Sequence, residues 1–178
     1  MKKRKTAAIS LLALSLFIII AFFGCNGDDL LPEKEFESFS NIIESENLDE
    51  LTLTIYYIDS EILTRYPLSV DNLINFNNVT EIVVKGDELK EHIDLFKKLD
   101  KTNLKRVKDN SSINARIYYV FESEKDGKVF DVAMWGNNNS VFVNGTEVKW
   151  NLIFSEIIKP FLTEDAKNNL EAYIKIAE

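Results

Sequence analysis

Two carboxylates, Glu122 and Asp131, are the residues best placed for acid/base chemistry in this chain of 178 residues. They flank Asp126-Gly127, and Asp-Gly is a strong hairpin signal because a type I′ turn needs positive φ at both central positions. A two-residue turn there makes Lys125 face Lys128, and the pairing can be counted outward. One face then joins Phe121 to Val132 and Tyr119 to Met134, which reads as core. The other joins Glu122 to Asp131, Val120 to Ala133 and Tyr118 to Trp135. Two close carboxylates can split their pKa values and divide the acid and base roles. Carboxylates on the solvent face of a strand are usually just solvated, so no catalytic residue is assigned. Like charges directly opposite are unfavourable, which implies a shifted register or a relieving cation.

The same face offers a binding surface. Arg116 lies beside Tyr118, and an exposed Tyr118–Trp135 pair next to Arg116 suits a peptide or a sugar ring. The competing reading is a covering helix or an ordinary cross-strand aromatic pair. His92, the only histidine, falls between Leu89 and Phe96 on an apolar helical face and reads as a partly buried, hydrogen-bonded side chain. With no second histidine and a single cysteine, Cys25, a zinc site is not expected. No EF-hand loop, Gly-x-Ser-x-Gly elbow or Gly-rich phosphate loop occurs, so no metal and no cofactor is expected. The polar loop Gly136–Ser140 reads as a long hairpin loop.

These residues need a scaffold. Leu51–Ile58 alternates and is rich in β-formers, and Thr80–Lys85 reads as a second strand. Asp71–Phe76 reads as a short helix capped by Asp71. Asp87–Leu99 reads as a longer one, with Leu89, Ile93, Phe96 and Leu99 on one face. Ala115–Glu122 and Lys128–Trp135 form one hairpin. Val141–Val143 and Thr146–Trp150 form another around Asn144-Gly145. Asn151 and Thr163 cap two closing helices, with Pro160 limiting the first. The expectation is an α+β fold: an antiparallel β-meander packed against helices on one face. The domain is placed at 48–178.

Charge is unevenly distributed along the chain. The formal net charge is −8, yet residues 1–24 carry four bases and no acid, while 26–50 carry nine acids and one base. Residues 25–47 therefore read as an acidic, mostly disordered tether, although Phe36, Phe39, Ile42 and Ile43 hint at a short amphipathic helix. An acidic chain without a basic stripe excludes nucleic acid as a partner.

Residues 2–5 are basic, and Ala7–Phe23 is apolar apart from Ser10 and Ser15. This is the pattern of an export signal over residues 1–24. Phe22-Phe23-Gly24-Cys25 resembles the lipobox of bacterial lipoproteins. That resemblance implies lipidation of Cys25 and cleavage just before it. It implies attachment at the extracytoplasmic face of the cell membrane through a lipid anchor. Two or more acyl chains would make that anchoring stable. Phe22 and Phe23 depart from the usual Leu and small residue, which bears on cleavage more than on attachment. An uncleaved signal anchor is the other possibility, and it has the same outward topology. The domain also resembles small uncharacterised lipoproteins of low-GC Gram-positive bacteria in composition and in its VFVNG hairpin, a resemblance that implies no activity. The expectation is a non-enzymatic binding or interaction domain with an envelope protein, peptide or glycan as partner. The alternatives are an inhibitor or immunity-type lipoprotein, or a small envelope hydrolase using Glu122 and Asp131.

Overall fold

The computed structural model describes residues 33–45, 47–108, 111–135 and 140–177, and of 33–35, 135 and 172–177 only the backbone. Residues 1–24, expected to be an export signal, Cys25 and residues 136–139 lie outside the described residues.

The chain opens with helix α1 (Glu33–Glu44). Strand β1 (Leu51–Tyr57) follows, then helix α2 (Val70–Ile74) and strand β2 (Thr80–Lys85). Two short helical turns come next, α3 (Asp87–Lys90) and α4 (Ile93–Phe96). Strands β3 (Ile117–Ser123), β4 (Gly127–Trp135), β5 (Ser140–Val143) and β6 (Thr146–Val148) form two hairpins. Helices α5 (Ile153–Glu156) and α6 (Glu164–Ala177) close the chain. The six strands make one antiparallel sheet in the order β2-β1-β3-β4-β5-β6. This is the expected α+β fold with a β-meander.

Alternation splits the sheet into two faces. On the first, Leu51, Leu53, Ile55, Tyr119, Phe121, Phe130, Val132 and Val143 join the main core. Phe36, Phe39 and Ile43 of α1, Phe96 of α4, Phe154 of α5, and Ala166 and Leu170 of α6 pack on it. The fully buried Tyr119 hydroxyl donates to the Phe154 carbonyl at 2.9 Å, so the one polar atom of that side chain is satisfied.

Helix α1 corrects the domain boundary. The fold already includes Glu33–Glu44, which pack on the core as a helix rather than forming a tether. Phe36, Phe39 and Ile43 recur at helical spacing and are all buried, while Glu37, Asn41 and Glu44 stay exposed. The net charge of the segment averages over two unlike faces. The apolar stripe decides packing, because its burial is worth about 1.5–3 kcal/mol per large side chain.

The second face is also covered, so the expected one-sided arrangement is incomplete. The long β1–β2 connection, residues 58–79, folds beneath the sheet. There Ile58, Leu68 and Leu73 pack with Tyr118, Val120, Ala133 and Phe142. Ser69 caps α2 by accepting from the Asn72 amide at 3.1 Å, in place of Asp71. The expected helix 87–99 breaks at His92 into α3 and α4, which bury Leu89 and Phe96 respectively.

Asn144 and Gly145 have φ of 47° and 76°, as a type I′ turn requires. The β3–β4 turn differs. Ser123 pairs with Gly127, leaving a three-residue connection, and the Ser123 hydroxyl accepts from the amides of Lys125 and Asp126. Gly127 alone takes positive φ, at 68°. A bulge between Phe121 and Glu122 then resets the register, so that Phe121 faces Phe130 and Tyr119 faces Val132. Thr163 caps α6 as expected, accepting from the Ala166 amide at 3.2 Å.

Candidate interaction site

The register and the covering segment together dismantle the expected surface. Tyr118 faces Ala133, not Trp135, and both Arg116 and Tyr118 are buried. The exposed Arg116–Tyr118–Trp135 patch is therefore corrected. Its face is apolar enough, through Val120, Ala133 and Phe142, to recruit residues 58–79 as a cover. The Trp135 backbone pairs with Ser140, and its side chain lies outside what is described. The Tyr118 ring stacks at 6.2 Å from Tyr56, and its hydroxyl donates to Asp131 at 3.4 Å.

Glu122 and Asp131 are not opposite one another either. The bulge sets Glu122 against Lys128 and Val120 against Asp131. Lys128 also donates to Asp131, whose side chain is 9% exposed. Both reliefs anticipated for a like-charge pair are thus present, a shifted register and a cation, and the dyad is not assembled. His92 is half-buried, with its ring edge-on to Phe161 at 5.0 Å. Among the described residues no group of three His, Cys, Asp or Glu could hold a metal ion.

Tyr56, Tyr118 and Tyr119 share one electrostatic property. Burial pushes all three phenols above the usual tyrosine range, with Glu81 adding to the effect at Tyr56 and Asp131 at Tyr118 and Tyr119. The unfolded chain ionises these groups near pH 10, whereas the folded chain holds their protons. Their stabilisation is therefore complete below about pH 10 and is lost as pH climbs toward the folded values. Each of Tyr118 and Tyr119 contributes a decline of up to about 1.4 kcal/mol per pH unit in that window. Urea unfolding at intervals between pH 9 and 11.5 should show this slope, and Tyr118→Phe should flatten it. An identical slope in that variant would contradict the assignment.

What Arg116 does is hold a loop. Its guanidinium rises from the start of β3 and donates to Thr64 Oγ1 at 2.7 Å and to the Ile62 carbonyl at 3.4 Å. Thr64 Oγ1 in turn donates to the Tyr66 carbonyl at 2.8 Å. Below the loop, Ser60 and Asp59 bond Asn169 of α6, and Asp59 accepts from the Glu61 amide. Beyond it, Asn114 accepts from the Leu68 amide, and Leu68 accepts from Ala115. Both ends and the underside of residues 61–67 are therefore fixed.

The outer side of this loop is apolar, aromatic and basic. Leu63 is 94% exposed and Tyr66 67%, and the Arg65 guanidinium lies 5.5 Å from the centre of the Tyr66 ring. Ile62 turns inward to the second cluster. A side chain as apolar as Leu63 gains nothing from water, so a rigid backbone that holds it there is set up for contact. Preorganisation of this kind removes ordering cost from binding. A groove of about 270 Å³ between α1 and α4 is a weaker candidate, because Phe39, Ile43, Phe96 and Leu99 lining it are already core residues.

Arg116 stands out in the sequence but its partners do not, since Ile62 and Thr64 lie some fifty positions earlier. No described helix is long and apolar enough to cross a membrane. Comparison with protein-family models, with curated proteins and with solved structures finds no match.

Proposed function

We propose that this chain is a membrane-anchored extracytoplasmic lipoprotein, tethered at Cys25, whose domain is a non-enzymatic binding module presenting the 61–67 loop. The observation that carries the binding reading is Leu63, almost fully exposed on a loop braced from beneath by the buried Arg116. Leu63, Arg65 and Tyr66 form an anchor set of apolar, cationic and aromatic groups, and Tyr and Arg are favoured at interface centres. The partner is an envelope protein, peptide or glycan with an apolar recess for Leu63 and an acidic or polar rim for Arg65. The same brace favours a second reading, an inhibitor or immunity-type lipoprotein, since a stiff convex loop suits an enzyme cleft.

The test uses the full chain in its own membrane. Leu63→Ala with Tyr66→Ala removes exposed atoms and should leave stability within about 0.5 kcal/mol. It should also abolish crosslinking to the partner that wild type captures on intact cells. Equal capture by the double variant removes the loop from consideration. A stoichiometric protein complex favours the inhibitor reading. In the same cells, the intact mass of the purified protein should fit a chain that begins at Cys25 and carries acyl groups, and an unmodified chain that retains residues 1–24 would instead indicate an uncleaved signal anchor.

A further inference from the structure

The strand order leaves two edges, β6 and β2, and they are treated differently. Residues 105–107 close the β6 edge. The Val107 amide donates to Glu147, the Lys149 amide donates to Lys105, and Arg106 bridges Val148. Among the described residues no strand pairs with the outer edge of β2. That edge is regular, with six consecutive residues in register against β1 and no bulge. It contains no proline, and Val83 at its middle is 51% exposed. A regular edge with an exposed apolar centre is a template for another strand.

The side chains of β2 specify which strand. Residues directly opposite in an antiparallel pair project to the same face. A twofold pairing of β2 with itself, centred on Val83, sets Val83 against Val83 and Ile82 against Val84. It also sets Glu81 against Lys85, twice, once on each side of the axis. Centring on Glu81 or on Lys85 would oppose like charges. Centring on Ile82 would leave both charges facing neutral residues, and centring on Val84 would set Glu81 toward Asp87 and Lys85 against Val83. One register therefore covers the exposed valine and satisfies all four charges. Glu81 accepts from the Tyr56 hydroxyl at 3.3 Å, and its second carboxylate oxygen remains for the lysine of the other copy.

We propose that β2 is a self-association edge, at which a second copy of this chain adds its own β2 antiparallel in the Val83-centred register. The contact is isologous, so it closes at two copies. The sheet then runs continuously through both, with the two helical layers on one side and the two 58–79 segments on the other.

The experiment is a charge-reversal cycle on the purified full chain in detergent micelles, read by analytical ultracentrifugation. Wild type should show a reversible monomer–dimer equilibrium. Glu81→Lys alone and Lys85→Glu alone each oppose like charges at both ends of the register. Each should weaken dimerisation on the order of tenfold. The double variant Glu81→Lys/Lys85→Glu restores opposite charges and should recover the wild-type equilibrium. Val83→Cys should give a disulfide-linked dimer under mild oxidation, whereas Leu152→Cys, exposed elsewhere, should not. A chain monomeric at all concentrations overturns the proposal. So does a dimer indifferent to the single reversals, or one that the double variant fails to restore. Loss of the binding loop's partner leaves this equilibrium unchanged, so the two proposals stand or fall separately.

Discussion

Phe39→Ala is expected to destabilise the domain by about 3–5 kcal/mol, the range for truncating a large buried aromatic. Phe39 is 1% exposed and lies 4.7 Å from Phe130 and 5.0 Å from Phe121, ring centre to ring centre. Its loss opens a void against both rings and forfeits aromatic contacts worth roughly 0.5–1.5 kcal/mol each beyond area. Domains of this size have about 5–15 kcal/mol in total, so the variant should sit near the edge of folding at 37 °C. The measurement is the urea midpoint of the full chain in detergent. The paired control is Glu37→Ala, on the opposite side of α1, where an exposed ion pair with Lys101 at 3.3 Å is worth about 0–1 kcal/mol. Equal midpoints for the two variants would mean that residues 33–44 are a tether after all.

Arg116→Met should separate loop order from global stability. Methionine keeps much of the buried apolar stem but loses both bonds to the 61–67 loop. A hydrogen bond from a charged donor is worth about 1.5–3 kcal/mol. Removing a buried charge returns part of that through relieved desolvation, so the net global loss should be about 1–3 kcal/mol. The local effect should be larger. Thr64 and the Ile62 carbonyl lose their brace, and amide exchange across residues 62–66 should accelerate while that of β3 and β4 stays slow. Partner capture should fall with the loop order, without any change at Leu63 or Tyr66 themselves. Unchanged exchange across 62–66 would show that the loop holds its shape through its ends alone.

The strands, the type I′ turn at Asn144-Gly145 and the Thr163 cap were legible in the sequence, because each depends on residues within a few positions of one another. The β3–β4 register was not. Ser123 uses its hydroxyl to bind two turn amides, and this local bond outweighs the Asp126-Gly127 preference. Helix α1 was hidden by its own acids, since net charge cannot show that Glu37 and Phe39 point apart. The candidate site was legible only in part. A charged residue entering a strand reads as exposed, and Arg116 is satisfied by atoms that only the tertiary fold brings to it. Leu63 carries no local signal, since nothing nearby distinguishes an exposed leucine from one that will be buried.

The start of α1 at Glu33 also bounds how far an anchored domain could travel. If Cys25 carries the lipid anchor proposed above, residues 26–32 are all the chain that lies between it and α1. Fully drawn out, seven residues of chain reach at most about 25 Å, against about 85 Å for the twenty-five residues of a tether running to residue 50. The domain would then patrol a thin shell directly above the bilayer. Whatever an anchored domain met would have to come down to that shell, as a membrane protein, a secreted chain leaving its exporter or a precursor still bound to lipid would.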